Sequence, residues 1–127
     1  MPVISHGMDL IECGRIAKIC REHPERFLER ILTPVERTYC ERHSDPVPRI
    51  AGRFAAKEAV LKVLGTGWRG QIAWTDIEIV NDSAGQPHVT LSGACQNVAT
   101  KLGITRVILS ITHTENYAAA SAIGVSE

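Results

Sequence analysis

The stretch from Ala51 to Leu64 restricts the fold most, because it reads as a helix with almost no polar face. Placed at about 100° per residue, Phe54, Ala55, Ala59, Val60, Leu61, Val63 and Leu64 cover nearly the whole circumference. A helix that is apolar all round has to be enclosed by other elements. Gly65 follows directly and suits the left-handed residue that closes helices. One charged couple interrupts the pattern. Glu58 and Lys62 stand four apart in one narrow sector, flanked by Phe54 on one side and by Ala55 and Ala59 on the other.

The remaining segments predict what encloses that helix. Val3 to Leu10 alternates loosely and reads as a strand ending near Asp9, and Ile11 to about Glu22 reads as a helix with Arg15, Lys18, Arg21 and Glu22 on its polar side. Pro24 ends or restarts that helix. Thr33-Pro34-Val35-Glu36 has the form of a capping box and opens a helix to about His43, after which Ser44 to Pro48 reads as loop. Gly65 to Gly70 reads as a flexible connection, Ile72 to Val80 as a strand, Asn81 to Pro87 as a turn and His88 to Leu91 as the returning strand. Ser92 is placed to cap a helix through Lys101 that Gly103 closes. Val107 to Thr112 and Tyr117 to Val125 read as strands, the second alanine-rich where something packs closely. The order predicts an α+β fold: a mainly antiparallel sheet packed with a long central helix, in one domain over residues 1–127.

With 127 residues the chain is long enough to bury a core without disulfides or structural metal. Its formal net charge of +0 gives no sign of a nucleic-acid partner. No apolar run reaches the roughly 18 residues that span a bilayer, and the N-terminus lacks the pattern of a signal peptide. The expectation is a cytoplasmic protein that binds neither membrane nor nucleic acid. Cys13, Cys20, Cys40 and Cys95 form no C-x-x-C pair and read as small buried hydrophobes in a reducing compartment.

Two sites stand out chemically. Glu58 and Lys62 are charges on a helix expected to be buried, which makes them functional candidates; the same spacing also suits a surface ion pair worth about 0.3–0.5 kcal/mol. Asp9 follows Gly7 at the predicted end of an apolar strand, where a carboxylate can face a cleft or simply cap the next helix. Two such carboxylates can hold Mg²⁺, a hard ion that takes oxygen ligands and keeps places for water and phosphate.

The motif Gly7-Met8-Asp9-Leu10 and the motif Ala51-Gly52-Arg53-Phe54-Ala55-Ala56-Lys57-Glu58-Ala59, running into Lys62 and Gly65-Thr66-Gly67, resemble those of the holo-[acyl carrier protein] synthases, within the 4′-phosphopantetheinyl transferase superfamily. Further similarity lies in Arg26 to Thr33, Asp76 to Ile79, Ser110 to Thr114 and Tyr117 to Ala120, so the resemblance spans essentially the whole chain. It departs between Arg42 and Arg49, where family members often carry lysines and this chain has Asp45, Pro46 and Pro48.

The resemblance implies transfer of 4′-phosphopantetheine from coenzyme A to a serine of apo-acyl carrier protein, in fatty acid biosynthesis. It implies that Asp9 and Glu58 bind Mg²⁺, that Lys62 stands at the phosphates, and that Arg53, His113 and Thr114 lie at the nucleotide end with the backbone of Gly65 and Gly67. The serine hydroxyl attacks the β-phosphorus, 3′,5′-ADP leaves, and Glu58, directly or through a metal-bound water, is the candidate proton acceptor. Carrier proteins of this type are acidic, so Arg15, Lys18 and Arg26 with Phe27 as an apolar anchor form the candidate docking face; the alternative is an ordinary solvated helix face. Family members are commonly homotrimers with active sites between protomers, and Ala118 to Ala122 suits close packing. A transferase serving a specialised synthase shares these motifs. An inactive binding module is a further reading, against which the joint presence of Asp9, Glu58 and Lys62 speaks.

Overall fold

The structure is a computed structural model describing residues 2–67 and 72–127. Trp68, Arg69 and Gly70 of the expected flexible connection lie outside the described residues. In chain order the elements are β1 (Val3–Glu12), α1 (Cys13–Glu22), α2 (Pro24–Ile31), α3 (Pro34–Glu41), α4 (Val47–Leu64), a 3-10 turn (Trp74–Asp76), β2 (Ile77–Asn81), β3 (Pro87–Leu91), α5 (Gly93–Leu102), β4 (Arg106–His113) and β5 (Tyr117–Val125). Strands β1, β5 and β4 form one antiparallel sheet in that spatial order, and β2 and β3 form a separate hairpin. The α+β architecture around a long central helix is the expected one.

Helix α4 packs against the inner face of the three-stranded sheet. Small residues permit the close approach. Ala118, Ala120 and Ala122 of β5 are buried against it, and a Cβ at Gly7 of β1 would collide with the Ala59 carbonyl and lie 2.8 Å from Lys62 Cβ. Gly65 ends α4 at φ +73°, its N–H donating to the Leu61 carbonyl as a left-handed closing residue does. The helix starts at Val47, inside the segment read as loop, because Pro48 is tolerated in a first turn and Asp45 Oδ1 accepts the Val47 N–H at 3.2 Å.

Three other boundaries move for identifiable reasons. Strand β1 continues through Glu12 instead of ending near Asp9. Ile11 points inward opposite Ala118 and is 5% exposed, so the sheet gains by keeping it. Asp9 is therefore a mid-strand residue facing the helix layer, not a strand terminus or a helix cap. Strand β2 starts only at Ile77, since the 3-10 turn takes up the preceding residues, tied by the Ala73 N–H to Asp76 Oδ2 at 3.2 Å. Ser92 does occupy the N-cap position of α5, yet its hydroxyl donates to the Asp76 carbonyl at 3.4 Å instead of capping.

The capping box of α3 forms as expected: Thr33 Oγ1 accepts the Glu36 N–H at 3.3 Å, and Glu36 Oε1 accepts the Thr33 N–H at 2.8 Å. Cys13, Cys40 and Cys95 are buried and Cys20 is half-buried, all as free thiols. Burial pushes Cys40 and Cys95 up to about 11, which keeps them protonated and inert at neutral pH. No described helix is long and apolar enough to cross a membrane.

The outer face of the three-stranded sheet is exposed and carries an apolar patch among His6, Ser110, Thr112 and Ser121. Met8 is 57% and Leu10 66% exposed on β1, and they lie opposite Ser121 and Ala119 of β5. Ile123 and Ile108 continue the patch as half-buried neighbours in register. Among the described residues no element covers this face.

Candidate active site

Strand β1 and helix α4 meet where Gly7 touches the helix backbone, and that crossing brings Asp9 beside Lys62. The Lys62 ammonium donates to the Met8 carbonyl at 2.7 Å and to Asp9 Oδ1 at 3.3 Å. Glu58 stands one turn earlier on the same helix face and is half-buried. Of the two settings that the sequence left open for Glu58 and Lys62, a buried one and a surface ion pair with each other, the buried one does not hold for Lys62, which pairs with Asp9. Phe54, Glu58 and Lys62 form the one stripe of α4 that the core leaves partly open, with the Lys62 side chain 54% exposed. Gly65 and Gly67 follow at φ +73° and +57°, with exposed backbone just beyond Lys62. Among the described residues no cluster of three or more metal-ligating side chains occurs. Asp9 and Glu58 are a two-carboxylate set of hard oxygen donors, which fits an ion that keeps water and phosphate as its other ligands.

The buried charges of α4 are others. Lys57 is fully buried, and its ammonium donates to Glu36 Oε1 at 2.6 Å, to the Ile31 carbonyl at 2.7 Å and to the Trp74 carbonyl at 3.1 Å. Glu36 Oε2 accepts the Ile79 N–H at 2.9 Å. Burial pulls the Lys57 pKa below the usual lysine value, against the opposing pull of Glu36. This knot ties the end of α2, the start of α3, the 3-10 turn and β2 to α4. Sequence reasoning missed it, although Lys57 does fall between Arg53 and Val60–Leu61 on the apolar side of the helical wheel.

Around Phe54 an aromatic wall forms. Phe54 stacks on Trp74 at 4.9 Å between centroids, and Phe27 stands 6.3 Å from Phe54. With Arg30, Ile31 and Ile72 they line a cavity of about 330 Å³. A neighbouring hollow of about 300 Å³ is lined by Ile19, His23, Arg26, Phe27 and Arg30. Thus Arg26 and Phe27, expected at a docking face, line a hollow that shares Phe27 and Arg30 with the cavity at Phe54 and Trp74. Arg15 and Lys18 are exposed on α1 and do not line either cavity. Arg30 and Phe54 were within reach of sequence reasoning, since Arg30 stands four residues from Arg26 and Phe54 flanks Glu58. Trp74 was not, because the chain returns it from a distant segment.

Arg53 and His113 also come together. They line a cavity of about 150 Å³ with Tyr39, Arg49, Asn81 and Ile111. Thr114, next to His113, belongs to the β4–β5 turn: its Oγ1 accepts the N–H groups of Asn116 and Tyr117 at 3.3 and 3.1 Å. None of Asp9, Glu58, Lys62, Gly65 or Gly67 lines the Arg53 cavity. The structure therefore divides the expected site residues between two centres of one chain. Arg53 and Glu58 are five residues apart, about 140° around an α-helix, and cannot face the same way.

The sequence profile of the 4′-phosphopantetheinyl transferase superfamily matches residues 5–122. The chain belongs to that superfamily. Within it, the chain is 47% identical over 126 residues to a holo-[acyl-carrier-protein] synthase of Chlamydia pneumoniae, covering 99% of this chain and 100% of that protein. Its fold is similar to the crystal structure of holo-[acyl-carrier-protein] synthase from Neisseria meningitidis, with a TM-score of 0.89 at 33% identity over 98% of this chain and 100% of the other. It is also similar to the Helicobacter pylori enzyme in complex with coenzyme A, with a TM-score of 0.84 at 31% identity, covering 95% and 100%.

Proposed function

We propose that this chain transfers the 4′-phosphopantetheine group of coenzyme A to a serine of apo-acyl carrier protein, releasing 3′,5′-ADP. The observation that carries the reading is the meeting of Asp9 with Lys62, one turn from Glu58, in a chain whose full-length relatives are holo-[acyl-carrier-protein] synthases. Asp9 and Glu58 would hold a magnesium ion, which when bound supplies positive charge to the pyrophosphate of coenzyme A. Lys62 places a fixed cation at the same phosphates, and the open backbone at Gly65 and Gly67 lets the nucleotide approach closely. Glu58 is the carboxylate we assign to receive the proton of the carrier serine.

Arg53 and Arg49 make the cavity that His113 also lines cationic, with no carboxylate among the described residues of its lining, which suits the 3′-phosphate; Thr114 is assigned to the same nucleotide end as the neighbour of His113 in sequence. Because that cavity and the Asp9–Lys62 centre are separate on one chain, we assign the complete site to two chains of a homotrimer. The bare apolar patch on the β1–β5–β4 sheet supports this, since patches of that kind mark interfaces. The acidic carrier protein is assigned to the two adjoining hollows at Phe27, Phe54 and Trp74, with Arg26 and Arg30 in their lining, and to Arg15 and Lys18 beyond them. The reaction serves fatty acid biosynthesis in the cytoplasm.

Incubation with coenzyme A, Mg²⁺ and apo-carrier protein should add the mass of one phosphopantetheine to the carrier, and EDTA should abolish the addition. Asp9→Ala or Glu58→Ala should lower the rate by roughly 10²-fold or more, the scale for losing one preorganised charge-stabilising group. Full activity in EDTA, or in both variants, would refute the assignment.

A further inference from the structure

Arg53 is held unusually for a cationic side chain that lines a cavity. It is only 4% exposed. Its guanidinium carbon lies 4.4 Å from the centroid of the Tyr39 ring, and one terminal nitrogen donates to Asn81 Oδ1 at 3.0 Å. Asn81 in turn donates through Nδ2 to the Tyr39 hydroxyl at 3.3 Å. Arginine has donors only, which sets the orientation of the Asn81 amide. Tyr39, Asn81 and Arg53 thus close a ring of three contacts joining α3, β2 and α4. The Arg53 Nε is buried and has no partner among the described residues. An unpaired buried donor is costly, and an oxyanion entering the cavity is the kind of group that relieves such a cost.

We infer that Tyr39 and Asn81 are positioning residues that fix the Arg53 guanidinium before the nucleotide arrives, and so set the preference for coenzyme A over its 3′-dephospho form. A free arginine loses rotamer freedom on binding a phosphate, and a clamp made beforehand removes that loss from the binding step. Tyr39 holds its ring against the guanidinium carbon, and Asn81 directs one terminal nitrogen. Neither residue needs to touch the substrate. The inference rests on the proposed reading of Arg53 as the phosphate ligand, and the test keeps the two apart.

The measurement is kcat/KM for coenzyme A and for 3′-dephospho-coenzyme A, taken on the same variants with the same carrier protein. The native enzyme should prefer coenzyme A, and Arg53→Met should remove most of that preference. Asn81→Leu should raise KM for coenzyme A about tenfold, the scale of one lost hydrogen bond to a charged group, and Tyr39→Leu should raise it by about the same factor, the scale of a lost desolvated cation–π contact. They should leave kcat, and both parameters for the dephospho substrate, near the native values. Tyr39→Phe keeps the ring under the guanidinium and should retain most of the preference. If the leucine variants weaken both substrates equally, their role is structural and the inference is overturned. If Arg53→Met removes the preference while the leucine variants keep it, the inference fails and the phosphate reading of Arg53 stands. If Arg53→Met leaves the preference intact, both fail.

Discussion

Lys57 and Glu58 are adjacent in sequence and meet opposite environments. One step along a helix is a rotation of about 100°, enough to carry a side chain from the core to an open stripe. Lys57 points into the core, where its three N–H groups find Glu36 and two carbonyls, while Glu58 stays half-buried beside Lys62. A buried pair of this kind is far more sensitive to losing one partner than a surface pair. Lys57→Met should therefore destabilise the fold by about 3–5 kcal/mol, read from the urea midpoint at unchanged slope. A loss below about 1 kcal/mol, the scale of an exposed pair, would show that Glu36 is satisfied without it.

Helices α1 and α2 act together at the next scale. α2 contributes Phe27, Arg26 and Arg30 to the hollow, whereas α1 presents Arg15 and Lys18 to solvent outside it. That division predicts different roles. A solvent-exposed cation steers an acidic partner at long range, and salt screens the effect within about 10 Å at 0.1 M. Arg15→Glu should raise KM for the carrier protein, more so at low salt, and leave KM for coenzyme A nearly unchanged. No change in either parameter would mean a plain solvated helix face. A fall in kcat with both KM values constant would place Arg15 in the transition state and defeat the docking role.

For the whole molecule, the proposed reading makes one chain the carrier of two half-sites. The Asp9–Lys62 centre and the Arg53–His113 cavity diverge around α4, and the sheet beside them ends in an uncovered face with an apolar patch. Light scattering should give about three times the chain mass, and Leu10→Glu, on that face, should dissociate the assembly. At coenzyme A concentrations well below the KM of the Arg53→Met chain, mixing Glu58→Ala chains with Arg53→Met chains should give more activity than the sum of the two variants alone, since some sites in the mixed assembly combine two intact halves. An active monomer, or mixtures no more active than that sum, would refute the shared site.

Sequence alone determined what depends on local pattern. The nearly all-apolar helix of Ala51–Leu64, the Gly65 stop, the Thr33–Glu36 capping box and the β2–β3 hairpin are decided within a few residues, and each is present in the structure. The motifs around Asp9 and Glu58 were legible as well, because spacing in one helix and the resemblance to a family both survive in a linear string. Tertiary structure alone decided which charges are buried. The choice of Lys57 over Glu58 depends on where Glu36, Ile31 and Trp74 return in space, and these belong to segments that no helical wheel contains. The Tyr39–Asn81 clamp on Arg53 and the arrival of Trp74 at Phe54 depend on the same long-range return. The length of β1 was decided there too. Pairing with β5 keeps Ile11 in the sheet, and a pairing partner more than a hundred residues away leaves no trace in the local pattern.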